Sequence, residues 1–261
     1  VILQVEELTK RFGGVRAVDG CSFTVQSGTI TGLIGPNGAG KTTLFNLLTG
    51  FHRPDAGLVR FKGSEITGLP PHAVFRRRIC RTFQIPREFR DLTVLENLMV
   101  VPEGQIGERL WTPWLLPGRL ARQEAAIRAR ALEVLALVNL VALRDAPAWT
   151  LSGGQKKLLE LARTIMADPE LLLLDEPGAG VNPTQMKELI RHIEWLRRER
   201  GVTILLIEHD MDLVMRVCDP IIVMSEGRTL AEGPPDVIRR DRRVLEAYLG
   251  ARYVAAHGTD R

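Results

Sequence analysis

Gly35-Pro36-Asn37-Gly38-Ala39-Gly40-Lys41-Thr42 meets the phosphate-loop pattern G-x-x-x-x-G-K-[ST] at every fixed position. Glycines let backbone N–H groups turn inward toward phosphate oxygens, and a helix N-terminus adds positive potential. In such a loop Lys41 would reach the β- and γ-phosphates, and Thr42 would set its hydroxyl on Mg²⁺. The pattern needs a strand before it and a helix after it. Residues 29–34 read as a buried strand and residues 41–48 as a helix.

Two further clusters extend this chemistry. Leu171-Leu172-Leu173-Leu174-Asp175-Glu176 is an apolar run that ends in two acids. A buried parallel strand ending in Asp175 suits a second Mg²⁺ contact, and Glu176 could orient or deprotonate an attacking water. Alone, the run would equally be a core strand with solvated acids at its tip; a phosphate loop in the same chain favours the chemical reading. In Leu151-Ser152-Gly153-Gly154-Gln155, Ser152 is placed as an N-cap with Gln155 as its capping-box partner. The helix that follows carries Leu158, Leu161, Ala162 and Ile165 on one face. Gly153 and Gly154 expose N–H groups at the helix start, which can bind a second phosphate group. One phosphate loop with two phosphate-binding helix starts suggests a nucleotide shared between two copies of the chain.

The elements around these clusters alternate between strand and helix. Residues 1–5 and 21–25 read as short strands around a loop at Arg11-Phe12-Gly13-Gly14, and 59–61 as another after a turn at 54–57. Beyond the acidic cluster come a helix at 185–199, a strand at 202–207, a helix at 211–217 and a hairpin of 221–224 with 229–232. Such alternation predicts an α/β fold with a largely parallel sheet. From about residue 86 to 149 the pattern is mostly helical, with Ile127, Ala131, Val134, Leu135 and Val138 at helical spacing. A Pro-, Gly- and Trp-rich loop interrupts it at 102–118. The expected organisation is a single domain. Residues 1–84 and 150–250 form a nucleotide-binding core, 85–149 an inserted α-helical subdomain, and 251–261 a C-terminal tail.

Composition narrows the setting. A chain of 261 residues, 45% hydrophobic and 25% charged, has the makeup of a soluble globular protein with a sizeable core. A net charge of +4 is too mild to point to nucleic acid, and the densest basic run, Arg76-Arg77-Arg78, reads as a solvated face. Cys21, Cys80 and Cys218 are scattered without metal-ligand spacing, which fits a reducing compartment. No secretory signal is visible, and no apolar run approaches the roughly 20 residues of a membrane span. Any work at a membrane is expected from its surface, through partners.

Taken in order, the motifs resemble those of the ATP-binding subunits of ABC transporters over essentially the whole chain. Gly35 to Thr43 looks like their Walker A, Leu151 to Gln155 their signature and Leu171 to Glu176 their Walker B. The resemblance implies a P-loop NTPase core of the ABC type, ATP and Mg²⁺ as cofactors, and ATP hydrolysis coupled to solute transport. It implies that Phe12 stacks on adenine and that Gly35, Pro36, Asn37, Gly38, Ala39, Gly40, Lys41, Thr42 and Thr43 hold the phosphates. Ser152, Gly153, Gly154 and Gln155 would close the nucleotide site of a partner copy. Glu176, His209 and Gln84 are the implied catalytic residues, and Thr42, Gln84 and Asp175 the implied Mg²⁺ ligands. By the same resemblance Gln84, in Arg81-Thr82-Phe83-Gln84, joins core to helical insertion, and His209, in Ile207-Glu208-His209-Asp210, stands at the γ-phosphate.

Two positions depart from the family pattern. The stacking aromatic is commonly Tyr; Phe12 keeps the π-face that stacking needs. The loop after Walker B commonly carries an Asp where this chain has Asn182, which keeps an acceptor and loses the charge.

The stretch Gly180-Val181-Asn182-Pro183, Glu208-His209-Asp210-Met211, the Pro- and Trp-bearing insertion and the ending Glu246-Ala247-Tyr248-Leu249-Gly250 are similar to the branched-chain amino-acid importer branch. Relatives of that branch serve urea and short amides, which is the alternative solute class. The implied partners are a second ATPase subunit, two integral permeases and a solute-binding protein, at the cytoplasmic face of the inner membrane, with no nucleic acid. A soluble ABC-type ATPase acting on nucleic acid or ribosomes would usually carry two cassettes or a long coiled coil, and this chain has neither.

Overall fold

In the computed structural model, which describes residues 1–82, 88–108 and 117–249, strands and helices alternate as the sequence pattern predicts. The strands in chain order are β1 (Leu3–Phe12), β2 (Val15–Val25), β3 (Ile30–Ile34), β4 (Ala56–Phe61), β5 (Ser64–Glu65), β6 (Ile79–Arg81), β7 (Leu171–Asp175), β8 (Thr203–Ile207), β9 (Ile221–Ser225) and β10 (Arg228–Gly233). The helices are α1 (Lys41–Leu48), α2 (Pro71–Phe75), α3 (Val94–Met99), α4 (Pro117–Leu137), α5 (Gly153–Met166), α6 (Pro183–Arg200), α7 (Met211–Val217), α8 (Pro235–Ile238) and α9 (Arg242–Leu249). The chain falls into two units. Val1–Arg81, Glu170–Pro177 and the stretch from Ile193 form the first; Thr82–Pro169 and Gly178–His192 form the second.

The first unit holds both sheets. One has six strands in the order β10-β9-β3-β8-β7-β6, parallel throughout except for the β9–β10 hairpin. β3, β7 and β8 are buried at every residue, which is why they read as unbroken apolar runs. The other sheet is antiparallel, four strands in the order β2-β1-β4-β5.

The β1–β2 ribbon is much longer than the short strands expected, and Arg11 and Phe12 lie in strand rather than loop. Register shifts after Val5, with Glu7 at φ 45°, let the ribbon run on while breaking the apolar alternation that would have revealed it. α1 buries Leu44, Phe45, Leu47 and Leu48. These join Val5 and Phe23 of one sheet and Leu173 and Leu205 of the other in one apolar cluster.

The second unit is helical. α3 starts at a capping box between Thr93 and Glu96. α4 buries Ala131, Val134 and Leu135, and α5 buries Leu158, Leu161, Ala162 and Ile165, the faces expected from their spacing. α4 begins at Pro117, inside the stretch predicted as loop. Proline suits a first helical turn because its missing N–H has no intrahelical role there.

Candidate functional site

Strand register brings distant segments to one end of the parallel strands. β3 pairs with β8 so that Leu33 lies opposite Ile207, and β7 pairs with β8 so that Asp175 lies opposite the same Ile207. All three strands are parallel, so the chain leaves them at the same end. It passes into Gly35 after β3, Glu176 after β7 and Glu208-His209 after β8. Crevices at the carboxyl ends of parallel strands are where α/β folds bind ligands.

The loop after β3 is shaped by close approaches that only glycine permits. A Cβ on Gly35, whose φ is 152°, would lie 2.1 Å from the Met224 carbonyl oxygen. One on Gly40, with φ 98°, would lie 2.2 Å from the Ala17 carbonyl oxygen. Gly40 is the N-cap of α1 and brings no side-chain cap, and the uncapped N–H groups of a first helical turn are of the kind that bind anions. Behind the loop the Gly227 N–H donates to the Ala39 carbonyl at 3.1 Å, and the Asp19 N–H donates to the Gly227 carbonyl at 2.9 Å. Arg228 closes this brace with two bonds to Asp19 Oδ2, at 2.6 and 3.1 Å. Those bonds hold the Asp19 carboxyl below the usual carboxylate range.

Lys41 lies on the loop it follows. Its Nζ donates to the carbonyls of Gly35 at 2.7 Å and Pro36 at 3.0 Å. Burial pulls the ammonium's pKa down, and the charges of Glu176 and Asp175 oppose the shift.

The two acids at the end of β7 each have a defined partner. Asp175 Oδ2 accepts from Arg81 Nη2 at 2.7 Å, both side chains being almost fully buried. Arg81 Nη1 donates to Asn46 Oδ1 at 2.6 Å, and its guanidinium lies 5.5 Å from the centre of the Phe45 ring. Glu176 has a left-handed backbone, φ 49°, and its Oε1 lies 2.6 Å from His209 Nε2. His209 is itself fixed by its N–H, which donates to Oε2 of the buried Glu208 at 3.1 Å.

A cavity of about 440 Å³ opens over the loop, lined by Asn37 to Thr43, Glu176 and His209 among the predicted site residues. Val15, Arg16, Ala17 and Glu226 complete the lining. Sequence reasoning missed these four because their motif neighbours carried all the signal. Phe12 is not part of the lining. It pairs across the hairpin with Val15, is 44% exposed, and meets the edge of His52 at 5.2 Å between ring centres. Gln84 lies outside the described residues. No group of three or more His, Cys, Asp or Glu side chains among the described residues could hold a metal ion by itself. The Thr42 hydroxyl and Asp175 carboxylate are hard oxygen donors of the kind that hold Mg²⁺ together with nucleotide phosphates.

The glycine pair of the second unit stands at a well-made helix start. Ser152 Oγ accepts from the Gln155 N–H at 3.3 Å, and Gln155 Oε1 accepts from the Ser152 N–H at 2.9 Å. Gly154 packs under the Gln185 amide, where a Cβ would come within 2.1 Å of Oε1, while a Cβ on Gly153 would meet nothing within 4 Å. Gln185 belongs to a second cap. Asn182 Oδ1 accepts from the Gln185 N–H and Asn182 Nδ2 donates to Gln185 Oε1, both at 2.9 Å. Asparagine at 182 therefore caps α6 through its amide oxygen, while its amide nitrogen bonds the Gln185 side chain.

Residues 18–179 match the ABC transporter family, and residues 228–254 match the branched-chain amino acid ATP-binding cassette transporter family. The chain is 45% identical over 249 residues to a high-affinity branched-chain amino acid transport ATP-binding protein, BraF, of Pseudomonas aeruginosa, covering 95% of this chain and 98% of that one. It is 42% identical to the LivG protein of Escherichia coli, described in the same words, with the same coverage. Among solved structures, a nucleotide-free ATP-binding cassette from an ABC transporter superposes with a TM-score of 0.80 at 37% identity, covering 95% of this chain and 98% of that one. The ADP conformation of an ATP-binding cassette superposes with a TM-score of 0.79 at 35% identity and the same coverage. With a phosphate loop, two acids and a histidine at the carboxyl ends of neighbouring parallel strands, and relatives matched nearly end to end, this chain belongs to the ABC transporter family as one of its ATP-hydrolysing, ATP-binding subunits.

Proposed function

We propose that this subunit hydrolyses Mg²⁺-bound ATP to power an importer of branched-chain amino acids. It would work at the cytoplasmic face of the membrane, paired with a second ATPase subunit beneath two permeases that a solute-binding protein supplies. The observation that carries the ATPase half is the convergence of Lys41, Asp175, Glu176 and His209 at the carboxyl ends of three neighbouring parallel strands. The solute class rests on the relatives named for branched-chain amino acid transport and on the match over residues 228–254. No helix of the described residues is long and apolar enough to cross a membrane, so membrane work falls to the permeases.

Each side chain has a task in this reading. Lys41 exchanges the Gly35 and Pro36 carbonyls for β- and γ-phosphate oxygens, and the uncapped first turn of α1 adds its N–H groups. Thr42, Asp175 and Gln84 would hold Mg²⁺, which when bound neutralises charge between the phosphates. Glu176 takes the proton of the attacking water or orients it. His209 contacts the γ-phosphate. Phe12 offers its π-face to adenine from the hairpin end beside Val15. Ser152, Gly153 and Gly154 of a second copy close the site from the far side, with residues 85–149 as the inserted subdomain that transmits the motion.

The test is reconstitution with the two permeases and the solute-binding protein of a branched-chain amino-acid importer. Vesicles should take up leucine only with internal or external ATP on the side of this subunit, and Glu176→Gln should stop uptake. ATP-driven uptake of urea or a short amide without leucine would replace the solute assignment. No nucleotide-dependent uptake of any of them would overturn the transport reading.

A further inference from the structure

Asp175 is held by a device that the ATP-hydrolysis motifs do not include. Arg81 ends β6, which lies beside β7 with Arg81 in register with Leu173. Its guanidinium reaches Asp175 Oδ2 at 2.7 Å with one arm and Asn46 Oδ1 at 2.6 Å with the other, over the face of Phe45. Only 6% of the Arg81 side chain and 4% of the Asp175 side chain are exposed.

Stability alone is a weak reason for such a pair. Two charges taken out of water regain little net free energy, and an apolar pair of similar volume does as well or better. A planar guanidinium does offer fixed directions to several acceptors at once. Here those directions tie a carboxylate on β7 to α1, the helix that starts with Lys41 and Thr42. Asn46 and Phe45 lie on that helix, so the guanidinium sets the Asp175 carboxylate relative to the Thr42 end of the site rather than to its own strand alone. Groups that hydrogen-bond a metal ligand orient it, and losing one commonly weakens the metal about 10–100-fold.

We infer that Arg81 is a positioning residue for the metal-binding carboxylate: by holding Asp175 Oδ2 and anchoring it to Asn46 of α1, it sets the affinity of the nucleotide site for Mg²⁺. The inference rests on the proposed role of Asp175 as a Mg²⁺ ligand.

The experiment measures metal rather than turnover. Mn²⁺ is titrated by electron paramagnetic resonance into the full chain holding a non-hydrolysable ATP analogue, and analogue affinity is measured separately without metal. Three variants are compared with the parent. Arg81→Lys keeps the charge and loses the fork. Asn46→Ala removes one anchor and leaves the ion pair, which keeps the test open if Arg81→Lys folds poorly. Asp175→Asn tests the underlying reading.

The expected result is Mn²⁺ binding weakened about tenfold in Arg81→Lys and severalfold in Asn46→Ala, with metal-free analogue affinity unchanged. Parental Mn²⁺ affinity in both, with Asp175→Asn clearly weakened, overturns the role of Arg81 and leaves Asp175 as ligand. Metal-free analogue affinity falling in step with Mn²⁺ affinity also overturns it, because Arg81 would then support the phosphate loop as a whole. Parental Mn²⁺ affinity in Asp175→Asn overturns the ligand assignment and the inference with it.

Discussion

His209 Nε2 lies 2.6 Å from Glu176 Oε1, joining the loops that follow two neighbouring parallel strands. Both residues are fixed at the backbone. The Glu176 N–H donates to the Ile207 carbonyl at 2.9 Å, and Glu176 holds a φ of 49°. A non-glycine residue in that region costs about 1–3 kcal/mol, so the surrounding structure must impose it. In the proposed function, the imidazole destined for the γ-phosphate rests on the carboxylate destined for water. Phosphate arriving at His209 would release Glu176 to its task.

Glu176→Gln removes the base and keeps the shape. Loss of a general base typically costs ~10²–10⁴ in rate. Phosphate release should fall by that factor while ATP binding, followed by fluorescence of a labelled analogue, stays at the parental value. His209→Ala should likewise spare binding and slow turnover. Parental turnover in Glu176→Gln would remove it from the role of base.

The phosphate loop predicts a sharp contrast between two glycines. Gly40→Ala puts a methyl group against the Ala17 carbonyl and forces a left-handed backbone on alanine. Gly13→Ala, with φ 57° at the β1–β2 turn, meets open space and bears the backbone cost alone, about 1–2 kcal/mol. Thermal unfolding should show the larger loss in Gly40→Ala, and ATP affinity should fall in that variant only. Equal losses in both would mean that the close approach to Ala17 is unimportant.

Legibility in the sequence followed burial and length. β3, β7 and β8 are buried on both faces, and helices 41–48 and 211–217 begin and end at the residues predicted, α7 because Asp210 caps it with a 3.1 Å bond from the Leu213 N–H. The antiparallel sheet was not anticipated. Its pairing partners are far apart, and β1 breaks its alternation at Glu7. β6 has three residues, too few for any period, so the environment of Arg81 was invisible. Its partner Asp175 lies 94 positions away, and no local pattern signals that pair. Asn182 reads in the sequence as an acceptor without the charge, and the fold adds what that acceptor does, which is to cap a helix.

Phe12 offers a test of how far the adenine site extends along the hairpin. The cavity lining stops at Val15, the residue across from Phe12. Base–aromatic stacking is worth roughly 1–3 kcal/mol in other nucleotide sites. Phe12→Ala should therefore weaken ATP binding about 5- to 150-fold by equilibrium titration, and Phe12→Tyr should change it little. GTP should bind almost as well as ATP, because stacking reads only the π-face. Parental affinity in Phe12→Ala would reduce Phe12 to the partner of His52 and leave Val15 to Ala17 as the surface that meets the base.

Sharing of the site between two copies is the prediction with the widest reach. The glycine pair at Ser152-Gly153-Gly154 starts a capped helix whose Gly153 faces open space, and none of these three residues lines the cavity over the phosphate loop. A head-to-tail pair would place the Ser152 end of one copy on the ATP held by Lys41 of the other. A cysteine at Ser152 and another at Asn37 should therefore crosslink between chains when ATP is present and Glu176→Gln prevents turnover. The native thiols need not be removed. Cys21, Cys80 and Cys218 are all buried, out of easy reach of a crosslinker, and burial pushes the Cys21 thiol up to about 11 and the Cys218 thiol up to about 12, which keeps those two protonated and slow to react. A second arm mixes a Lys41→Ala chain with a Ser152→Arg chain, each inactive alone. One composite site of the mixed pair then keeps an intact Lys41 opposite an intact Ser152, and part of the ATPase activity should return. No recovery despite mixed dimers, together with no ATP-dependent crosslink, would mean that each chain completes its nucleotide site alone. Recovery without a crosslink would keep the sharing and move the partner's contact away from Asn37. A crosslink without recovery would keep the geometry and mean that both sites must fire together.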